Sequence, residues 1–449
     1  MKKVLLVYAP FCTPASPPYS ITQLYSFLKG NCKVDVSVLD LNLEFHNLKF
    51  SEYQQYYHNS TKWQEYNKIT TEYRNVTSKV YSDNNTLIVK GEKPELFEEL
   101  VQKIKDQKPD IVAFSIVYSS QAFYAYSLIK ELTKFDITTV IGGPAINDKL
   151  MSVADTTLQN ELELLNYLKG KDVNHDEINF NTVPDFSIYN VKDYYTPQPV
   201  IPIRTSSTCY YKQCTFCSHF STVPYHEFSL DVIKKTIINS NQKKFFIIDD
   251  MIPSKRLLDI AAILKPLGVQ WTCQLKPTAD FDHKTLKTLH ESGLTMIIWG
   301  VESGSDRVLQ VMKKGTIKKY VETVLKNSHN VGIKNVVYIM FGFPTETENE
   351  FIETIDFLEK NKMNIDLIST SIFGLQKGTY IYTNPEEFGI TKIIEEERTV
   401  LDPRIRYETS IGLSQKEVRS FVKKYKHTID TINKYPRMMN YFREHMLCL

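Results

Sequence analysis

Three cysteines, Cys209, Cys214 and Cys217, sit together in the stretch Arg204-Thr-Ser-Ser-Thr-Cys-Tyr-Tyr-Lys-Gln-Cys-Thr-Phe-Cys-Ser-His219, with four residues inside the first gap and two inside the second. Three thiolates on one loop match a four-iron, four-sulfur cube that leaves one iron free of protein ligands. An open iron can take a substrate or cofactor, which makes the loop a candidate reaction centre. The competing reading is a zinc knuckle completed by His219 or His226. The remaining cysteines, Cys12, Cys32, Cys273 and Cys448, have no partner spacing. Cys32 and Cys273 read as small buried hydrophobes. Cys12 falls on a loop after the first strand, where it could approach a bound cofactor.

The elements around this loop alternate. Strand patterns at 200–204, 245–250, 271–276, 296–302, 336–341 and 366–373 are separated by amphipathic helices at 230–240, 255–267, 284–292, 307–331 and 348–360. Six βα units in a row predict a partial (β/α)6 barrel of the TIM type over 199–375, with its chemistry at the C-terminal mouth. The cysteine loop follows the first of those strands and falls at that mouth. Residues 376–449 are expected to form a C-terminal cap, helical from about 395.

Residues 1–150 alternate with a shorter stride. The apolar runs 4–8, 34–39, 110–117 and 138–141 read as buried strands between helices, which predicts an α/β domain built on a doubly wound, Rossmann-type parallel sheet. Ligands of such sheets bind at the carboxyl ends of the strands, here Tyr8 to Pro10, Asp40, Ser115 to Ser119 and Gly142 to Ala145. Residues 51–90 read as a long exposed helix with a loop insertion. Residues 151–198, with Pro184 and Pro197, read as a linker.

With 449 residues the chain suits two or three domains. A net charge of +2, from 54 basic and 52 acidic residues, offers no footprint for nucleic acid or an anionic membrane. No run reaches the roughly 20 apolar residues of a membrane span. The opening Met-Lys-Lys-Val-Leu-Leu-Val-Tyr-Ala-Pro is too short for a signal sequence and reads as a first strand. Seven cysteines, three of them clustered, fit a reducing cytosol, so a cytoplasmic location is expected. The basic run Lys423, Lys424 and Lys426 reads as a solvated helix face or a docking patch for an acidic reductase.

Several segments in order resemble the radical S-adenosylmethionine (SAM) enzymes: the cysteine loop with Phe216 before its last cysteine, Ile248-Asp-Asp250, Trp299-Gly-Val-Glu-Ser-Gly-Ser-Asp306 with Lys313-Lys-Gly315, and Phe341-Gly-Phe-Pro-Thr-Glu-Thr347. The departure is the first cysteine gap, which has three residues in the usual pattern and four here. The N-terminal part is similar to the cobalamin-binding domain that precedes the radical SAM core in one large class, on Ala9-Pro-Phe11, Val112-Ala-Phe-Ser115 and Ile141-Gly-Gly-Pro144. It lacks the Gly-Glu-rich segment expected near 155–165.

The resemblance implies that Cys209, Cys214 and Cys217 hold a [4Fe-4S] cluster whose open iron chelates SAM, so that one electron breaks a sulfur–carbon bond and yields a 5′-deoxyadenosyl radical. It places Phe216 and the Ser218 backbone beside the adenine. Asp249 or Asp250 would accept from the SAM ammonium, Lys276 would pair with its carboxylate, Glu302 and Ser303 would meet the ribose or carboxylate, and Gly342 would turn near the adenine. Against these stand plainer roles: a solvated strand end for the aspartates, a helix cap for Ser303 or Ser305, and ordinary turn chemistry for Gly342 and Pro344. Ser115, Ser119, Gly142 and Gly143 would line a cobalamin edge, or simply close a doubly wound sheet. The implied activity is cobalamin-dependent methylation of an unactivated carbon in a natural product or peptide, with electrons from a flavodoxin- or ferredoxin-type reductant. The alternative keeps the radical and drops methyl transfer, leading to cyclisation, rearrangement, epimerisation or crosslinking, with cobalamin absent or in another role. No catalytic residue beyond the cofactor contacts emerges.

Overall fold

The computed structural model describes residues 2–59, 63–217 and 223–449, and the chain divides into two compact units. The first comprises Met1–Pro202, Asp231–Gln242 and Glu397–Pro403. Its strands β1 (Lys3–Tyr8), β2 (Asp35–Asp40), β3 (Ile111–Ser115), β4 (Thr138–Gly142) and β5 (Thr156–Thr157) form one sheet in the order β2-β1-β3-β4-β5. Every registered pair is parallel. The run Val4 to Tyr8 and all of β3 are buried, as expected when helices cover both faces. The strand order reverses between β1 and β3, the switch point at whose carboxyl edge ligands of doubly wound sheets bind.

Two expectations change in this unit. Residues 151–198 are more than a linker, because β5 pairs with β4 and Leu164 and Leu165 of the helix Glu161–Lys169 join the core of Val4, Leu6, Phe27 and Val140. The helix Tyr66–Val89 is long, as its pattern suggested, but only one of its faces is exposed. Tyr66 and Tyr73 are fully buried, as is Tyr57 of the preceding helix, and the Tyr73 hydroxyl meets His46 Nδ1 at 2.7 Å. Burial pushes that imidazole down to about 3, so it stays neutral.

The second unit comprises Ile203–Leu230, Lys243–Glu396 and Arg404–Leu449. Strands β6 (Val200–Ile203), β7 (Lys244–Ile247), β8 (Gln270–Leu275), β9 (Leu294–Glu302), β10 (Lys334–Phe341) and β11 (Leu367–Ile372) lie side by side in chain order, with parallel registers from β7 to β11. This is the six-stranded partial barrel. Its outer face is fixed by large side chains. Trp271 Nε1 donates to the Ser292 carbonyl at 3.1 Å, Trp299 Nε1 to Asn335 Oδ1 at 2.8 Å, and Phe341 stacks on Phe351 at 4.4 Å. Alternate residues such as Gln274, Gly300, Tyr338 and Met340 therefore point to the inner face.

The C-terminal cap differs from a helical expectation. An antiparallel hairpin, β12 (Ile390–Glu396) with β13 (Arg404–Thr409), precedes the helix Gln415–Ile432. Its Arg-Ile-Arg-Tyr-Glu-Thr strand has the period-2 alternation that marks a half-exposed pair. The last turns, Arg437–Asn440 and Arg443–Cys448, close the floor of the inner face: Lys334 Nζ donates to the Met446 and Leu449 carbonyls at 3.1 Å, and Lys244 Nζ donates to that of Leu447.

Candidate active site

The cysteine loop starts where β6 ends, and its root is pinned before the first cysteine. Asp249, two residues beyond β7 and 4% exposed, accepts from the Thr205 amide at 2.8 Å, the Thr205 hydroxyl at 3.2 Å and the Ser206 hydroxyl. Burial pushes this carboxyl up, while the Ser206 and Thr205 bonds favour its ionised form. The far end is tied as well, since the Thr215 amide donates to the Met312 carbonyl and the Ile381 amide to the Thr215 carbonyl, both at 3.0 Å.

The extra residue in the first gap has a visible accommodation. Lys212 takes the left-handed conformation at φ 48°, and Tyr211 becomes a strut whose hydroxyl donates to the Lys313 carbonyl at 2.8 Å. Lys276 Nζ lies 3.1 Å from the Tyr211 ring centroid.

Two ammonium groups serve the three thiols. Burial pushes Cys214 up, and Lys314 and Lys276 hold it back. Lys276, pushed down to about 8 by burial first, is held up by Cys214 and Cys209. Burial alone would push Lys314 down, but Glu302, at 2.8 Å from its Nζ, then Cys214 and Cys217 carry it up. Cys209 and Cys214 are half-buried and Cys217 is exposed. Among the described residues, no three His, Cys, Asp or Glu side chains converge on a single point for one metal ion. A cube asks for something else, because each thiolate takes its own iron. Three thiols spread around two neighbouring cations fit it.

The other expected site residues are placed as follows. Phe216 meets Phe343 edge to face at 6.3 Å, and Lys314 Nζ lies 5.8 Å from its centroid. Ser218 and His219 lie outside the described residues. Asp250 is exposed at the strand end. Glu302 ends β9 at φ 69° in its ion pair with Lys314. Ser303 is buried in its own turn, with its hydroxyl at 3.2 Å from that of Thr354 and accepting from the Ser305 amide at 3.1 Å. Gly342, at φ 73°, has no room for a Cβ, which would stand 2.7 Å from a Val418 methyl.

Three participants were not singled out from the sequence: Lys314, Tyr211 and Glu346. Lys314 belongs to a quoted motif, yet only the turn after Asp306–Val311 swings it back beneath the cysteines. Glu346 accepts from the Gly342 amide at 2.6 Å, its other oxygen is buried without a partner, and burial pushes it up to about 8.

In the first unit, the carboxyl edge gathers Tyr8, Cys12 and Asp40. Cys12 Sγ lies 3.5 Å from the Tyr8 hydroxyl, and burial pushes the thiol up to about 12. Asp40 caps the next helix at Leu43 N, accepts from Tyr194 at 2.9 Å, and is pushed up to about 6 by burial. Ser115 donates to Ser20 at 2.9 Å, and Ser119 begins the turn Ser119–Gln121. A Cβ on Gly143 (φ 118°) would meet the Ile116 carbonyl oxygen at 2.3 Å, and one on Gly142 that of Leu158 at 3.1 Å. Those glycines admit neighbouring backbone.

Residues 203–358, which carry the cysteine loop and strands β7 to β10, match the family model described as the radical SAM superfamily. These residues form a radical SAM domain. This domain works with a [4Fe-4S] cluster and SAM, and the donor set at Cys209, Cys214 and Cys217 suits them. The chain is 23% identical over 409 residues to a protein of Pyrococcus horikoshii named an uncharacterised methyltransferase, covering 78% of this chain and 86% of that one. Its fold is similar to that of the radical SAM methyltransferase TsrM from Kitasatospora setae, solved with tryptophan and a SAM analogue: TM-score 0.65, 13% identity, 96% of this chain and 89% of that one. It is also similar to the cobalamin-dependent radical SAM enzyme OxsB with aqua-cobalamin bound: TM-score 0.62, 15% identity, 95% of this chain and 67% of that one. Both likenesses concern the fold.

Proposed function

We propose that this radical SAM enzyme binds cobalamin at the carboxyl edge of its first sheet and methylates an unactivated carbon of a natural product or peptide. The observation that carries the reading is the order of parts. A doubly wound sheet with its switch point between β1 and β3 precedes the three-cysteine domain, and nearly the whole chain follows the fold of enzymes whose names include cobalamin and methyl transfer. When bound, the cluster and SAM supply one-electron cleavage of a sulfur–carbon bond, and cobalamin supplies a methyl carrier.

The chain's own residues would bind and orient. Cys209, Cys214 and Cys217 hold the cluster, and Lys276 and Lys314 offset the thiolate charge. Phe216, with the Gly342 turn, borders the adenine. Asp250 offers its carboxylate to an ammonium, since Asp249 is occupied by Thr205 and Ser206. Glu302 reaches the ribose side, while Ser303, its hydroxyl taken up by Thr354 and Ser305, fixes the turn after β9. Ser115, Ser119, Gly142 and Gly143 border the cobalamin edge. The backbone carbonyls that stand beside Gly142 and Gly143 are what a second reading would rest on, in which cobalamin is absent and the radical serves another reaction. The substrate is a small molecule or peptide, and electrons come from a flavodoxin- or ferredoxin-type protein.

Anaerobic reconstitution with iron, sulfide and hydroxocobalamin, followed by SAM and dithionite, tests this. Retained cobalt with both S-adenosylhomocysteine and 5′-deoxyadenosine as products is expected. Deoxyadenosine without retained cobalt would leave the second reading, and intact SAM would defeat both.

A further inference from the structure

At the floor of the inner face of the six-stranded sheet, Arg443 makes no ion pair among the described residues. Arg443, in the turn that closes the floor, places its guanidinium carbon 4.6 Å from the centroid of Tyr338, the inward residue midway along β10. Arginine Nε and the Tyr338 hydroxyl are both buried, and neither has a hydrogen-bond partner. Two open donors on one guanidinium–ring pair inside a folded protein call for an occupant, because a buried polar group without a partner is costly.

The surroundings narrow the occupant. Neighbouring floor cations are already satisfied, Lys334 by the Met446 and Leu449 carbonyls and Lys244 by that of Leu447. Of the nearby acids, Glu302 is held by Lys314, and Glu444 makes no ion pair among the described residues. Burial pushes Glu444 up, and the neighbouring Arg443 holds it back. Tyr338, also pushed up by burial, remains a hydroxyl donor. The pair presents one positive charge with one N–H and one O–H donor. That suits a planar monoanion better than a phosphate, whose extra charge and third oxygen would go unmet.

The position also suits a substrate. Met340, the next inward residue on β10, packs in the apolar group that includes Phe216 and Phe343. Tyr338 therefore lies about 7 Å below that layer, at two residues of strand rise. A molecule of modest size could be held at its acid end by the floor while its other end faces the cluster loop.

We propose that Arg443 and Tyr338 form the anchoring subsite for a carboxylate of the substrate, which makes the substrate of this enzyme a carboxylic acid. This rests on the radical SAM reading for the site's role, but binding can be read without turnover.

The test uses the full chain, reconstituted anaerobically with iron and sulfide, and ligand-observed NMR with phenylacetate, its methyl ester and phenyl phosphate as probes. Phenylacetate is expected to bind at least tenfold more tightly than either of the others. R443M and Y338F should each weaken phenylacetate binding several-fold, with R443K between R443M and the parent. SAM addition to the reduced cluster should still change its electron paramagnetic resonance spectrum in R443M. Equal binding of acid and ester in the parent protein overturns the proposal without reference to any variant. So does binding of phenylacetate unaltered by both substitutions, which would mean an adventitious site or a water-filled one. Loss of the SAM response in R443M, with phenylacetate binding retained, would assign the arginine to the cofactor and also overturn it. Failure of SAM cleavage with acid-selective, Arg443-dependent binding would instead defeat the functional reading and leave the subsite standing.

Discussion

Under the proposed ligation Cys209, Cys214 and Cys217 each hold one iron, so their loss should not be graded. Any one of the three Cys→Ala changes is expected to drop iron from about four per chain to a small fraction of that after reconstitution and desalting, read by metal analysis. The lysines beside them act differently. Lys314 and Glu302 form a largely buried ion pair, with side chains 10% and 15% exposed. K314M should cost about 3 kcal/mol in denaturant unfolding, because it strands a carboxylate, and the K314M/E302Q double variant should cost clearly less. Glu346 sets a pH dependence. Its folded carboxyl is raised to about 8, so the folded chain holds a proton that the unfolded chain releases at the ordinary glutamate value. That contribution to stability is complete at low pH and is lost as pH climbs toward 8. Asp40, raised to about 6, acts in the same direction over a lower window. The unfolding midpoint should therefore fall between pH 5 and 8, and E346Q should remove the part of the slope above pH 6.

At the scale of elements, the turn after β10 and the helix Gln415–Ile432 are built for each other. Gly342 has a left-handed φ of 73°, and Val418 of that helix occupies the space of its missing Cβ. The following turn is fixed too, as the Leu413 amide donates to the Glu346 carbonyl at 2.8 Å. G342A combines a left-handed alanine, costing about 1–2 kcal/mol, with a methyl contact that must be relieved. Adding V418A should recover the contact share and leave the backbone share, a separation that unfolding curves of the three variants would show. The hairpin β12–β13 was missed in the chain's pattern because its exposed charges, such as Arg406 with Glu396, resemble the polar face of a helix.

For the whole molecule, two units with separate cores imply two responses to ligands. Calorimetry of the reconstituted chain should resolve two transitions. Removing iron should lower the one belonging to the cysteine unit and leave the other in place. Under the cobalamin proposal, hydroxocobalamin should raise the first unit's transition, by about 2.7 kcal/mol at a hundredfold excess over its dissociation constant. A single transition that moves with both ligands would count against independent sites.

The six inner strands, the cysteine loop and the radical SAM assignment were legible from residue order, because hydrophobic period and cysteine spacing are local and survive in one dimension. The N-terminal sheet was legible for the same reason, its strands being unbroken apolar runs. The partners of those residues were not. That Asp249 is used up by Thr205 and Ser206, that Lys314 rather than a surface group attends the thiols, and that Gly143 makes room for Ile116 all depend on contacts between distant segments. The sequence names no partner for Arg443 at all, since Tyr338 is more than a hundred residues away. Packing chooses among many side chains of suitable type, and only the tertiary structure decides which two become neighbours.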